Sequence, residues 1–555
     1  VDLTKLDAAL ALNTSDAYNP FCADIMPCNE EQVLTSIYRN NTTELMMVDF
    51  KMSNPNIYTL PAGDVGMLVG AEIRYESHDD ARDPNVDGTI QYTPPALAGN
   101  QVTFPYISNI SNSSPSPNTF GERTVSSVFV ELQVPLAENL YSQIAVRAES
   151  ADDYGDNVVG KFALGYEPTS WLKVRASTNT SHKAPNLIIV NEGLVVRNNS
   201  QEDALFTAAL ADWYEQLNQD DDDENNQSDY PNYSFQRVAQ GNPDLEAEES
   251  TNTSLGLVLT PTDNLVITID KWEIAQEKTV GLFGERNHIL YDTLLRLRGG
   301  PTECTGNPNV IRFDYDATSN DDPESTGYTG AWDESILCKA GTVQRVNDTY
   351  LNLDDRTLKG TDYVVEYFVD TNYGSVSAKL MRVQFDEFQQ EAGGVLAEVI
   401  AAGQPGGLLD GLIASAGYGD LLGTFDKRAY PETKDSMRLA WKHKRFDAFL
   451  TGTLVGSFEE LGPDDDAINS DGLYVCSGTT EYEGGTCGSN WVVDSMLTLN
   501  LTLGYKFKSG LRLRGSIRNL EDERAPLADE TTWGYVADVH SDYGRSYSIE
   551  LYKKF

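Results

Sequence analysis

Positive charge is scarce in this 555-residue sequence: 41 Lys and Arg stand against 85 Asp and Glu, a formal net charge of −44. Phosphate backbones are held by a surplus of Lys and Arg, so nucleic acid is excluded as a partner. The same deficit argues against docking on an anionic leaflet. Long apolar runs are missing too. No stretch reaches the roughly 18 residues of a membrane-spanning helix, and 1–12 lacks the basic segment and apolar core of a secretory signal. The five histidines, His78, His182, His288, His443 and His540, have no His or Cys neighbours at metal-ligand spacing. With no Gly-x-Ser-x-Gly elbow and no phosphate-binding loop, no catalytic constellation is present and no enzyme is expected. Ordinary Gly and Pro usage excludes collagen-like and low-complexity chains. A 40% hydrophobic, 10% aromatic composition excludes disorder.

Cysteine is sparse but patterned. The six fall as Cys22/Cys28, Cys304/Cys338 and Cys476/Cys487, each pair inside a polar, turn-rich stretch, and none has the Cys-x2-Cys spacing of a zinc site. Three local disulfides in loops facing an oxidising compartment are the expectation, although six cysteines allow 15 pairings.

What is abundant is alternation. Leu497, Leu499, Leu501, Leu503, Tyr505 and Phe507 alternate with polar residues, as do Leu511, Leu513 and Ile517 with Arg512, Arg514 and Arg518. Period two is the strand signature. Fifteen strands are expected, near 43–52, 65–77, 123–135, 139–150, 156–166, 171–179, 250–261, 264–274, 358–369, 373–385, 434–442, 446–456, 491–507, 511–520 and 545–555. Most match the roughly 9–11 residues of a tilted membrane strand. Their links alternate between tight turns, such as Thr262-Asp263 and Lys508-Ser509-Gly510, and the long stretches 78–122, 180–249, 275–357, 386–433 and 457–490. Loops of that length are rare in compact soluble domains, whereas short turns on one side and long loops on the other define an outer-membrane β-barrel. The mean hydropathy of −0.39 is compatible with this, because only alternate strand residues meet lipid. Counting back from the closing strand makes 1–42 an extracellular loop and the sequence a C-terminal portion of a longer barrel.

Several motifs, taken in order, carry a family resemblance. They are Leu60-Pro61-Ala62-Gly63 with 69–76, Leu164-Gly165-Tyr166-Glu167-Pro168 with 171–177, Lys183-Ala184-Pro185-Asn186, Gly241-Asn242-Pro243-Asp244-Leu245 with Glu248-Glu249-Ser250, and Arg518-Asn519-Leu520-Glu521-Asp522 before the terminal Phe555. The chain resembles the C-terminal barrel portion of TonB-dependent outer-membrane receptors. Lys183 stands where that family carries Arg, and Glu521 where it carries an aromatic. The resemblance implies an all-β, transmembrane antiparallel barrel of the 22-stranded type, of which about the last 15 strands are present. It also implies a plug domain and a TonB box outside this sequence, outer-membrane lipid around the wall, and import driven by TonB–ExbB–ExbD. The expected cargo is a scarce, bulky nutrient such as an oligosaccharide or a siderophore. A passive porin is the alternative, and a secreted β-structural or adhesive protein a more distant one.

Within that frame, Lys173 and Arg175 share one strand face and Arg512, Arg514 and Arg518 another, and both sets are expected to face the lumen and pair with plug carboxylates. Loop aromatics Trp213, Tyr214, Tyr230, Tyr233, Trp332, Tyr474 and Trp533 are candidates for stacking on a ligand, weighed against packing the loops together. Stretch 180–249 holds 15 acidic and three basic residues, with a cluster at Asp220, Asp221, Asp222 and Asp223, and a further cluster lies at Asp464, Asp465 and Asp466. Clustered carboxylates suit Ca2+, but neither has EF-hand spacing, and a solvated acidic surface is the preferred reading. No cofactor beyond a structural Ca2+ at these clusters is expected. Helical stretches are expected at 202–217 and 388–412.

Overall fold

Period-two sequences place every second side chain on one face, and in this chain all the apolar faces turn the same way. The computed structural model describes residues 1–22, 28–92, 108–209, 232–314, 338–404, 406–409, 419–420, 422, 424–426, 428–460, 491–528 and 534–553. Fifteen wall strands follow one another. They are β1 (Arg39–Leu60), β2 (Gly63–Arg82), β3 (Thr119–Ala137), β4 (Leu140–Ala151), β5 (Gly155–Thr169), β6 (Leu172–Lys183), β7 (Glu248–Thr262) and β8 (Leu265–Leu282). The series continues with β9 (Val343–Thr371), β10 (Gly374–Glu391), β11 (Thr433–His443), β12 (Phe446–Val455), β13 (Met496–Lys506), β14 (Arg512–Arg518) and β15 (Ser546–Tyr552).

Each strand pairs antiparallel with the next, from β1–β2 through to β14–β15, so the wall is an uninterrupted meander. Among the described residues β1 and β15 each have a single neighbour, and both are exposed along almost their whole length. The β1–β2 ladder slips between Asn54 and Tyr58, around Pro55, which has no amide to donate.

All fifteen expected strands are present, and many are longer than their hydropathy suggested. The strand expected at 358–369 runs as Val343–Thr371. The added residues lie on the long-loop side, where Lys271, Glu273, Lys359 and Glu387 occupy the face that is apolar lower down. Backbone pairing continues there after the apolar period has stopped, so periodicity alone could not mark the ends.

Helix positions differ more from expectation. Of 202–217, the described part forms α3 (Ala204–Ala209), and the rest lies outside the described residues. In 388–412 the first residues belong to β10 and the helix is α5 (Gly394–Gly403). The sequence reading missed α1 (Leu3–Leu10), α2 (Leu187–Asn191) and α4 (Glu285–Gly299), which starts after Gly284 at φ 88. The expected loop 1–42 includes α1 and the start of β1. Its α1 end is tied to the β2–β3 connection, where Leu3 donates to the Asn109 carbonyl at 2.8 Å and Thr4 to the Asn109 side chain at 2.7 Å.

The long connections build a hydrophobic core above the wall. Strand segment 232–240 pairs antiparallel with 195–202 and parallel with the upper end of β9, which also receives 310–312. Onto this small sheet pack α4 and α5, burying Phe235, Phe283, Ile289, Leu294, Val346 and Val399 together.

Candidate functional site

Three zones can be separated by what each face of the wall carries. The outer face is apolar along whole rows: Met52, Val69, Val130, Val146 and, further round, Leu265, Tyr367, Ala378, Leu439, Leu450 and Leu501 lie side by side. Toward the short turns this band ends in exposed aromatics, including Tyr166, Trp171, Tyr367, Tyr373, Trp441 and Phe446. An apolar band bordered by aromatics is how a barrel meets lipid and its interface.

The inner face is polar, and several of its cations are paired with carboxylates of the wall. Arg175 donates from Nε to Asp270 at 2.8 Å, spanning from β6 to β8 across Gly256 of β7. A Cβ at Gly256 would sit 1.9 Å from Asp270 Oδ1, so glycine is required for the close approach. Arg512 reaches Asp447 at 3.0 Å in the same manner, skipping β13 where Gly504 lies beneath the carboxylate. Lys173 pairs with Glu167 at 3.3 Å and lies 5.0 Å above the Tyr141 ring, and Arg514 pairs with Glu550 at 3.4 Å. Arg518 stands on the same face, opposite Ser546. On β2–β4, Arg74 and Arg147 share Glu72, and Arg147 also holds Glu149, which accepts from Tyr154 and lies 2.9 Å from His182 Nε2.

The five positions expected to face the lumen lie on the inner face. Four of them, Lys173, Arg175, Arg512 and Arg514, have a wall carboxylate as partner, while Arg518 stands opposite Ser546. The sequence reading supplied the cations and missed Asp270, Asp447 and Glu72. Strand parity was the available signal, since each acid alternates with apolar residues in the same way as the basic positions.

The mouth is the folded loop core. Of the aromatic candidates, Tyr233 is described: it packs among the core residues, donates from its hydroxyl to Asp203 and accepts from the Val343 amide at 2.7 Å. Trp213, Tyr214, Tyr230, Trp332, Tyr474 and Trp533 lie outside the described residues, as do the clusters Asp220–Asp223 and Asp464–Asp466. Beneath Tyr233, Arg312 donates to Asp292 at 2.7 Å and to Asp203 at 2.6 Å and 2.9 Å, all three side chains buried. Burial disfavours the charged guanidinium, but the two carboxylates outweigh it and raise its pKa further. Burial, then Asp203, pushes the Tyr233 hydroxyl well above its ordinary value. For Asp348 burial opposes ionisation, yet His288, Arg237 and the Gly284 amide hold its pKa below the usual carboxylate range.

The disulfides Cys22–Cys28 and Cys304–Cys338 are formed, while Cys476 and Cys487 lie outside the described residues. Among the described residues no group of three His, Cys, Asp or Glu side chains is disposed to hold a metal ion.

The resemblance motifs act as joints between wall and mouth. Asn186 caps α2 by accepting from the Ile188 amide at 2.9 Å, and Arg123 donates to the Pro185 carbonyl at 2.7 Å. Gly241 and Asn242 donate to the Glu192 and Ile189 carbonyls, and a Cβ at Gly241 would fall 2.6 Å from the Glu192 nitrogen. Asn519, at φ 52, donates from its side chain to Glu523 and Tyr543 carbonyls.

A meander with a lipid-facing outside, a polar inside and one side built up by long loops defines a transmembrane β-barrel wall of the outer-membrane type. Residues 29–520 match the family described as TonB dependent receptor-like, beta-barrel, and the chain belongs to that family. Barrels of this family are outer-membrane proteins, and their members are transport receptors. Among solved structures it is similar to the siderophore receptor PirA from Acinetobacter baumannii, at 14% identity and TM-score 0.53, covering 92% of this chain and 55% of that one. A double mutant of the ferric enterobactin receptor PfeA from Pseudomonas aeruginosa is similar at 16% identity and TM-score 0.52, covering 92% and 54%. At this identity the likeness shows the fold. The chain spans about half the length of these receptors. No curated protein matches it in sequence.

Proposed function

We propose that this chain forms the larger part of the wall of a TonB-dependent importer that carries a bulky, uncharged nutrient across the outer membrane. Seven further strands, a plug and a TonB box would complete it, which the greater length of the similar receptors supports. Energy would come from TonB–ExbB–ExbD acting through that plug. The observation carrying the substrate reading is the pairing of four inner-wall cations: Arg175, Arg512, Arg514 and Lys173 each have a wall carboxylate as partner. With a net charge of −44 around them, paired cations make a poor trap for an anionic ferric siderophore, whose approach the field opposes. A neutral oligosaccharide meets no such barrier and can hydrogen-bond to a polar wall.

The test is uptake by cells lacking the full-length gene, compared with cells in which it is restored, using a labelled neutral oligosaccharide and a labelled ferric siderophore, each with and without a protonophore. Loss of protonophore-sensitive oligosaccharide uptake is the expected result. Loss of ferric siderophore uptake alone overturns the substrate reading, and uptake indifferent to the protonophore overturns active import in favour of an open pore.

A further inference from the structure

Three aromatic side chains of the inner face lie across a glycine of the neighbouring strand. Phe129 of β3 covers Gly70, Tyr141 of β4 covers Gly165 and Trp272 of β8 covers Gly360, each directly opposite its glycine in the ladder. A Cβ at Gly360 would fall 2.5 Å from Cζ2 of Trp272, so glycine is what lets the indole rest on the sheet. A ring seated this way turns its other face to the lumen. On two of the three that face is taken: Arg147 stands 5.6 Å from the centroid of Phe129, and Lys173 stands 5.0 Å from that of Tyr141. Among the described residues no cation lies over Trp272. Phe385 meets its indole edge-on at 5.8 Å, and Nε1 donates to Asp362 at 3.1 Å, which together hold the ring in place. Hydrogen-bonding groups flank it. Ser254 stands directly opposite Trp272 on β7, its hydroxyl 2.8 Å from that of Ser177. Such a pair leaves one hydroxyl proton and further lone pairs for a third partner. Toward the turns, Asp362 gives Oδ1 to the indole, and Arg175, 49% exposed, has donors beyond the two it gives Asp270.

We propose that Trp272 is a stacking platform on the lumen wall for a neutral hexopyranose ring of an oligosaccharide. A glucose-type ring has an apolar face of axial C–H bonds and a rim of equatorial hydroxyls. The C–H face lies on the electron-rich indole face, where its weakly positive hydrogens meet the negative side of the ring quadrupole. At the rim, sugar hydroxyls donate to Oδ2 of Asp362 and accept from Arg175 and the Ser177–Ser254 pair. A neutral ring brings no charge to be stripped of water as it settles on the indole. The cations over Phe129 and Tyr141 close those two faces to a sugar, so the platform is specific to Trp272. This assignment rests on the oligosaccharide reading above and goes beyond it by naming the side chain that receives the sugar.

Calorimetric titration of the purified full-length receptor with maltopentaose and with cellopentaose, in a detergent without a sugar head group, tests it. Uptake of the same labelled sugars by cells carrying each variant runs in parallel. The wild type should bind at least one of the two, and Trp272→Leu should bind it about tenfold more weakly. Phe129→Leu, whose ring is already covered by Arg147, should bind as the wild type does, with heat-modifiable gel mobility reporting that each barrel is folded. Equal affinity in the wild type and Trp272→Leu overturns the platform, and with uptake intact it leaves the importer reading standing. An equal loss in Phe129→Leu overturns it too, because the effect is then not particular to the open ring. A wild type that binds neither sugar overturns the platform, and uptake by the same cells decides the importer reading separately. Should Trp272→Leu not fold, Trp272→Phe replaces it, which loses the wider indole face and the bond to Asp362, and unchanged affinity there overturns the proposal.

Discussion

Replacing Arg312 by Met should open the loop core while leaving the wall intact. Arg312 makes four hydrogen bonds: to Asp292 at 2.7 Å, to Asp203 at 2.6 Å and 2.9 Å, and to the Gly341 carbonyl at 3.3 Å. Its side chain is 3% exposed, and those of Asp203 and Asp292 are 1% and 0%. Removing one member of a buried ionic group costs about 3–5 kcal/mol, mostly because the remaining charges stay buried without their counter-ion. Asp292 keeps Arg296 and the Asn307 amide, and Asp203 keeps Tyr233 and the Leu205 amide, which places the effect toward the lower end of that range. Hydrogen exchange followed by mass spectrometry on the full-length receptor in detergent reads this directly. Peptides from 283–300 and 338–350 should exchange faster by roughly two powers of ten. Peptides from β4, β5 and β6 should not change, since those strands are held by their own ladder. Adding Asp203→Asn and Asp292→Asn to Arg312→Met should restore part of the protection, because the two buried carboxylate charges are then gone, while Arg296, at 12% exposure, loses its partner Asp292 and limits the recovery. Unchanged exchange in 283–300, or a triple variant worse than the single one, would refute the reasoning.

Gly256→Ala should destabilise the barrel by about 1–3 kcal/mol, as overpacking does, because the new methyl occupies the path of the Arg175–Asp270 bridge. The denaturant midpoint for loss of heat-modifiable mobility measures it, and a midpoint equal to wild type counts against the bridge. His540 is buried against Phe458, and burial lowers its pKa. The unfolded loop therefore takes up the proton first: the contact is at full strength above about pH 6.5 and weakens as pH falls through the lowered value. Exchange at the His540 amide, corrected for intrinsic rate, should accelerate between pH 7 and 5, and His540→Leu should remove that dependence. Reducing Cys304–Cys338 should lower the stability of the loop core by roughly 2–4 kcal/mol, since the bond closes a 34-residue separation in the chain. Limited proteolysis within 301–342 with and without reductant checks it, and identical digestion patterns would count against a structural role.

The wall was legible in the sequence because two different solvents imprint it. Lipid on one side and a polar lumen on the other force strict alternation, and fifteen strands could be read with their order and most of their turns. Where the outer solvent changes from lipid to water the imprint fades, which is why β9 is much longer than its apolar period and why 343–352 was read as loop. The loop core was illegible for a different reason. Helix α4 buries His288, Asp292 and Thr293 beside Ile289 and Leu294, so its buried side mixes polar and apolar residues and lacks a clean apolar stripe. What organises it is ionic contact between residues as far apart as Asp203 and Arg312, and no local pattern announces such a partner. Gly256 and Gly504 stand between these cases. Each is an interior glycine in a strand, a signal for close approach of a neighbouring group, and here the approaching group is the side chain of an ion pair.

Charge matching in the wall also explains where the acidic surplus has to be. A charge facing lipid near the bilayer centre costs roughly 2–4 kcal/mol, so the outer face excludes charge up to the edge where Arg382 and Asp435 meet. On the inner face Arg147, Arg175 and Arg512 have wall acids as partners, and those pairs contribute little net charge. Most of the excess then falls to the connections, as the 15 acidic residues in 180–249 illustrate. A ligand arriving from the loop side meets this field before it meets the wall. If the charge of the mouth selects the cargo, raising the ionic strength should improve capture of an anionic ligand and leave that of a neutral one unchanged, because screening within about 10 Å removes only the charge-dependent barrier.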